Sequence, residues 1–224
     1  ALGLEDKGSS SFGLSLLPQL ADHVGPVEVF FTTEGMRGLR TTRDVLGGEL
    51  LLCCNPLLVS VDGAEAAASG QPHPFGAVMK DACAKSPHVR RVVTELMSDG
   101  QRPSQLVRAS DFAWKEEASV DAGEVDEAIL QGVKQTNCFE DFGKCCMYPL
   151  LAMSNHSCVP NANCIPVGDT VMLRAGTVLP AGTEVRLPYF DVLKPYAERQ
   201  ELTSSSWNFD CRCIRCELEK HLPE

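Results

Sequence analysis

Three thiols at Cys211, Cys213 and Cys216, spaced Cys-x-Cys-x2-Cys behind the aromatics Trp207 and Phe209, have the type and spacing of metal ligands. A structural zinc site is tetrahedral, with four ligands at about 2.3 Å for sulfur, so these three need a fourth donor from elsewhere in the chain. A second constellation is Asn155-His156-Ser157-Cys158-Val159-Pro160-Asn161, which follows the apolar run from Tyr148 to Met153. Its thiol and imidazole lie two residues apart, and neighbours that close in one loop seldom present a nucleophile and a base to each other, so a cysteine hydrolase is disfavoured. Taken singly, the histidine could be a satisfied core group and the asparagine a turn cap. A third feature is the turn Gly35-Met36-Arg37-Gly38, whose glycines allow an approach that a Cβ would block. Tyr189 is a fourth, a phenol that alone would read as a core side chain with its hydroxyl satisfied.

These features stand in a telling order. The loop from Asn155 to Asn161 resembles the signature loop of SET-domain protein lysine methyltransferases. Gly182-Thr183-Glu184-Val185-Arg186-Leu187-Pro188-Tyr189 is similar to that family's Gly-Glu-Glu, short strand and tyrosine seven residues after the glycine. The segment from Trp207 to Cys216 resembles the post-SET zinc segment, and Glu34 to Asp44 leading into Gly47-Gly48-Glu49-Leu50-Leu51 resembles the first SET hairpin. The resemblance covers roughly residues 28 to 217 and is closest to SMYD-like and plant-type SET proteins, whose post-SET segment also follows a stretch like Tyr189 to Leu193. Three departures stand out: Thr183 replaces the first glutamate, Pro188 precedes the tyrosine, and Leu187 stands where many members carry an aromatic that tunes how many methyls are added. No MYND-type finger is expected in the insertion, because Cys83 and Cys138 lack partners at ligand spacing.

The resemblance implies a protein-lysine N-methyltransferase that uses S-adenosylmethionine on a histone lysine or another basic peptide. Tyr189 is then the catalytic tyrosine. Gly35, Met36, Arg37, Asn137, Asn155, His156, Tyr189 and Phe209 are implied to bind the cofactor, with Phe209 stacked on adenine. Cys158 is implied to join Cys211, Cys213 and Cys216 around one structural zinc ion, with Cys164 and Cys146 as alternative fourth ligands. Tyr148 could line the lysine channel or simply pack. The chemistry is an in-line displacement, and holding both reactants in a near-attack pose can supply about 7–11 kcal/mol. The attacking amine has to be neutral although its reference pKa is about 10.4, so an apolar, tyrosine-lined channel is required. The competing reading is an inactive SET-like scaffold that binds peptides in chromatin, with Thr183 as its main support. A Rossmann-type methyltransferase is disfavoured, since no Gly-x-Gly-x-x-Gly turn with a following acidic residue is found.

The elements that must position these residues follow from periodicity and punctuation. Residues 1–26 read as a leader, 27–61 as the N-terminal part of the SET domain, 62–137 as a helical insertion, 138–193 as its C-terminal part, and 194–224 as the post-SET segment. Short strands are expected from Val27 to Val61 and again at Asn163 to Val167, Val171 to Ala175 and Thr183 to Leu187, with turns at Gly168-Asp169 and Pro180-Ala181-Gly182. Ser86-Pro87 opens a helix whose Val89, Val92, Val93, Leu96 and Met97 recur at helical spacing until Gly100. A second helix is expected from about Asp121 to Gln135, with Val125, Ile129 and Val133 on its apolar face. Ala64 to Pro74 and Glu116 to Gly123 read as loops. The expected fold is α+β, mainly β: small twisted sheets around a knotted C-terminal segment, with a helical insertion and a zinc-bound tail.

At 224 residues, 44% hydrophobic and 22% charged, the chain can form one well-cored domain with an insertion. No apolar run approaches the ~20 residues that span a bilayer, and the start at Ala1 reads as a trimmed N-terminus. The odd count of eleven cysteines favours a reducing compartment, hence nucleus or cytoplasm. A net charge of −10 argues against direct nucleic-acid binding and suits either a basic peptide partner or plain solubility. A monomer is expected.

Overall fold

The computed structural model describes residues 22–60, 75–96, 106–112, 125–141 and 144–222. The expected loops at Ala64 to Pro74 and Glu116 to Gly123, and the leader up to residue 21, lie outside the described residues.

The described residues build three small sheets, as an α+β, mainly β fold requires. Strand β1 (His23–Val24) pairs with β4 (Leu50–Cys54), so the first sheet starts before the expected Val27. Strands β2 (Val27–Phe31) and β3 (Arg37–Thr41) form a hairpin around the Gly35 turn, with Val27 and Val29 buried and Glu28 exposed, the alternation of a half-buried strand. Strand β5 (Leu58–Ser60) joins β6 (Cys138–Asp141) and β7 (Lys144–Met147), a hairpin the sequence reading did not separate from its surroundings. The two-residue strand β8 (Asn155–His156) precedes the hairpin β9 (Ala162–Val167) and β10 (Thr170–Ala175), and then comes β11 (Glu184–Leu187). One sheet runs β1-β4-β10-β9, the second β2-β3-β11-β8, and the third β5-β7-β6.

One pairing matters most for the site. Strand β8 lies parallel to β11, with Arg186 opposite Asn155 and Leu187 opposite His156, while the other strand pairs among the described residues are antiparallel. Parallel neighbours need a long crossover, and here β9 and β10 supply it from another sheet. The Asn155-His156 pair is thereby fixed beside the strand that runs into Tyr189.

Helices α1 (Phe75–Lys85) and α3 (Glu127–Asn137) pack on the third sheet, and α2 (Pro87–Glu95) packs on both of these helices. Helix α2 starts as expected: the Val89 amide donates to Ser86 Oγ at 3.2 Å, and Pro87 occupies the first turn, where no N–H is required. Helix α1 was not separately foreseen, although Phe75, Met79, Ala82 and Cys83 are all buried at helical spacing. Helix α3 is capped by Asp126 and runs to Asn137. Its buried stripe is Leu130, Val133 and Asn137, and Ile129 is exposed, contrary to the expected face. The inward face is set by Leu130 and Val133, while Val125 precedes the helix and packs half-buried against the same core.

Leu39, Leu51, Leu52, Phe75, Met79, Met147, Leu173 and Leu187 form one continuous core across the sheets and the insertion helices. At roughly 1.5–3 kcal/mol for each large apolar side chain, this burial dominates cohesion. After β11 the chain passes Tyr189 and enters α4 (Tyr196–Trp207) and α5 (Ile214–Glu219). Helix α4 ends at Asn208 with φ 57, the only positive φ at a non-glycine among the described residues. This left-handed cap reverses the chain and leaves Trp207 and Phe209 on either side of the bend. Among the described residues no helix is long and apolar enough to cross a membrane.

Candidate active site

A cavity of about 500 Å³ opens between the β2–β3 turn, strand β8 and the chain reversal after α4. Met36, Arg37, Asn137, Asn155, His156, Tyr189 and Phe209, seven of the residues singled out for cofactor binding, all line it. Gly35 does not. Its φ of 78 explains why glycine is needed there, and its amide donates to Thr32 O at 3.0 Å within the hairpin turn.

The wall is built around Asn155. Its amide nitrogen donates to Arg37 O at 3.1 Å and to Glu184 Oε1 at 2.9 Å, locking β8 to both β3 and β11. With both amide hydrogens engaged inside the protein, Asn155 can offer a ligand only its oxygen and its backbone. Arg186 clamps the other oxygen of Glu184 at 2.6–2.9 Å. Gly38 permits this assembly, since a Cβ there would lie 2.8 Å from Phe30 Cε1 and 3.1 Å from both Asn155 Nδ2 and Glu184 Oε1. Arg37 is buried, and desolvation lowers its pKa from the usual arginine value. A buried guanidinium on a cavity wall is suited to an anionic group of a ligand.

His156 is a hub rather than a free base. The Tyr189 amide donates to His156 Nδ1 at 3.1 Å, so the ring proton sits on Nε2, which lies 3.4 Å from Cys158 Sγ. Burial pulls the imidazole pKa down to about 4, so the ring is neutral at pH 7. The ring stacks on Phe190 at 4.7 Å and lies 6.1 Å from the Phe209 ring.

Tyr189 stands where two cavities meet. It lines the first and also a second of about 820 Å³, which shares Asn137, Ala152 and Trp207 with it. Its hydroxyl donates to Ser154 O at 2.9 Å, its ring lies 5.2 Å from Trp207, and burial raises the phenol above its ordinary pKa. Tyr148 lines only the second cavity. Its hydroxyl is tied to Asp169 O at 2.7 Å and its ring meets Phe139 edge-on at 5.7 Å, so it both packs and forms wall.

Behind the first cavity the thiols of Cys158, Cys211, Cys213 and Cys216 converge, all within 4.8 Å of one another and all buried. Four sulfurs at about 2.3 Å around one ion stand about 3.8 Å apart. The Cys158 sulfur lies 3.9 Å from that of Cys211 and 3.6 Å from that of Cys216, so the cluster fits a tetrahedral zinc ion. Burial and mutual repulsion push the Cys211 thiol up to about 11 and raise Cys158 as well. Burial also opposes ionisation of Cys213, yet hydrogen bonds involving the backbone of Cys216 and Cys158 bring it down to about 7. Such a group gives up its remaining protons only when a cation arrives. Cys146 in β7 and Cys164 in β9, the alternative donors, lie outside the cluster.

Sequence reasoning missed Glu184 and Arg186 as cavity residues, Trp207 as a wall of both cavities, and Arg199, which is fully buried beside the thiols. Glu184 has a signal in the Gly-Thr-Glu triplet, and Trp207 stands two residues before Phe209 in the post-SET-like segment. Arg199 had none, because a charged residue within Tyr-Ala-Glu-Arg-Gln reads as an exposed helix face.

No family model matches the chain. Over 73 residues, 33% of its length, it is 36% identical to the histone-lysine N-methyltransferase SMYD3 of Mus musculus, and the match spans 17% of that protein. It is 34% identical over 77 residues to the N-lysine methyltransferase SMYD2-B of Xenopus laevis and 35% identical over 80 residues to the histone-lysine N-methyltransferase ASHR2 of Arabidopsis thaliana, spanning 18% and 20% of them. Among solved structures, a candidate histone methyltransferase of Plasmodium falciparum aligns over 74% of this chain and 94% of its own, at 9% identity and a TM-score of 0.36, too slight a likeness to carry an argument.

Proposed function

We propose that this chain, whose homologues are SMYD and ASHR SET-domain lysine methyltransferases, is itself an S-adenosylmethionine-dependent protein-lysine N-methyltransferase, acting on a histone lysine or another basic peptide in nucleus or cytoplasm. The observation that carries the reading is Tyr189 at the junction of two cavities, one of them lined by seven of the residues that the resemblance assigns to the cofactor. Two reactants can then occupy separate cavities and meet at one phenol.

When bound, S-adenosylmethionine would supply an electrophilic methyl group on a positively charged sulfur. Arg37 suits the cofactor carboxylate, the carboxylates of Glu34 and Glu184 suit its ammonium, and the half-buried Phe209 ring suits its adenine. The substrate lysine would enter through the second cavity, between the aromatic walls of Tyr148, Phe139 and Trp207. Because burial holds the Tyr189 phenol above its ordinary pKa, no phenolate is available near pH 7, so Tyr189 orients the amine and does not take its proton. The Ser154 carbonyl, already an acceptor for Tyr189, is a fixed dipole beside the same phenol. Loss of the amine proton falls to the aromatic wall, which disfavours the charged form, and to solvent. The four-thiol cluster would hold zinc as a structural centre that fixes the Phe209 segment against the cavity.

The inactive-scaffold reading loses its main support in the fold. Thr183 lines neither cavity and takes part in the β3 edge, where its carbonyl accepts from the Thr41 amide at 2.9 Å, whereas the retained Glu184 is in the wall. Incubation with methyl-labelled cofactor and a panel of histones and lysates tests the reading. Label on a lysine supports it, and cofactor binding without transfer would leave the scaffold.

A further inference from the structure

Arg199, on α4, is the largest fully buried side chain of the described residues, and it is a cation. Its Nη1 donates to Lys194 O at 2.6 Å, and its Nη2 reaches both Glu219 Oε2 and, at 3.8 Å, the sulfur of Cys216. Its Nε has no hydrogen-bond partner. Arg215 takes the other oxygen of Glu219 at 2.6 Å and donates to Val192 O at 2.5 Å. Two guanidinium groups therefore share one carboxylate, and one positive charge is left over against four buried thiols.

An ion pair between α4 and α5 would need neither the surplus charge nor the sulfur contact. Both become intelligible with a metal in the cluster. Four thiolates around a divalent cation carry a net charge of minus two, and burying that charge is costly unless donors and cations face the sulfurs. The Nη2 contact is a donor of that kind, complementing the His156 Nε2 proton directed at Cys158.

We propose that Arg199 is a positioning residue of the metal centre, donating to the Cys216 thiolate and offsetting the charge of the loaded cluster, a role that rests on the zinc reading above. Residues that orient metal ligands commonly affect affinity by about 10- to 100-fold when removed. The carboxylate partner separates this role from simple helix pairing, because Glu219→Gln breaks the ion pair while keeping the guanidinium beside the sulfur.

The test uses the full chain loaded with zinc, competed against a chromophoric chelator, and its cobalt-substituted form, whose thiolate-to-metal band reports charge on sulfur. Arg199→Met should lose about 10- to 100-fold in zinc affinity and move the cobalt band to lower energy. Arg199→Lys should fall between, since one ammonium cannot reach Lys194 O, Glu219 and Cys216 together. Glu219→Gln should hold zinc, with the band unmoved. Equal losses in Arg199→Met and Glu219→Gln would show only a helix-pairing role and overturn the proposal, as would an unmoved band in both Arg199 variants. If Arg199→Met does not fold, the affinity and band of Arg199→Lys decide. Failure of the unaltered protein to bind zinc would remove the metal reading itself, a result distinct from any difference among the variants.

Discussion

Replacing Cys158 with alanine should cut the one link by which the metal would tie the signature loop to the C-terminal segment. Cys158 and Cys211 are 53 residues apart in sequence, so the centre closes a long loop. Loop-closure entropy for that length is about 14 cal/mol/K, or about 4 kcal/mol at room temperature. Other contacts survive the change: the His156–Phe190 stack at 4.7 Å, the Tyr189–Trp207 contact at 5.2 Å, and the bond from Gln135 Nε2 to Ser206 O at 3.3 Å. They limit the loss, and about 2–4 kcal/mol is expected for the zinc-loaded protein. The unlinked segment carries Phe209, so cofactor affinity should fall by up to about tenfold, the worth of one aromatic contact. Urea denaturation gives the stability change, hydrogen exchange over residues 196–222 locates it, and calorimetry gives the cofactor affinity. Cys164→Ala, at an exposed thiol outside the cluster, is the control and should change none of the three. Equal urea midpoints and equal exchange in Cys158→Ala and the unaltered protein would refute the argument that this cluster staples the tail.

Tyr189→Phe removes the hydroxyl that donates to Ser154 O, so stability should fall by about 1 kcal/mol. Turnover should drop about 100-fold through misplacement of the amine, with cofactor affinity little changed, and initial rates with calorimetry check both. Gly38→Ala would drive a Cβ against Phe30, Asn155 and Glu184, costing about 1–3 kcal/mol by overcrowding. Its melting curve and cofactor affinity should both shift, and a normal affinity would detach the Asn155 network from binding. Burial holds the phenols of Tyr148 and Tyr189 above their ordinary pKa, so the unfolded chain releases protons that the native chain keeps. Their contribution to stability is complete below about pH 10 and declines as pH rises, by at most about 1.4 kcal/mol per unit for each phenol. Urea midpoints from pH 9 upward, with phenolate absorbance recorded in parallel, should show these two ionising only as the protein unfolds.

Much of this was legible in the chain because it is written locally. Ser86-Pro87 announced a helix start through a cap and a missing N–H, and the strands around Gly168 and Gly182 followed from turns that glycine permits. The Cys211, Cys213 and Cys216 spacing marks a cluster that could ligate a metal without reference to any fold. Amphipathic phase was less secure: Ile129 was assigned inward on a four-residue spacing, and the packing of α3 on α1 turned Leu130 inward instead.

Sequence by itself determined which residues have the chemistry: the thiols, the Asn155-His156 pair, the glycine turn and Tyr189. Tertiary structure decided what each is tied to. The parallel pairing of β8 with β11 engages the Asn155 amide with Arg37 and Glu184, directs the His156 proton at a sulfur, and sets Tyr189 between two cavities. Arg199 passes from an apparent surface charge to the most deeply buried cation among the described residues, facing Cys216 across the α4–α5 junction. The physical reason is distance along the chain: hydrogen bonds and Coulomb forces act over a few ångströms, and only folding brings residues 37, 155, 184, 199 and 216 within that range.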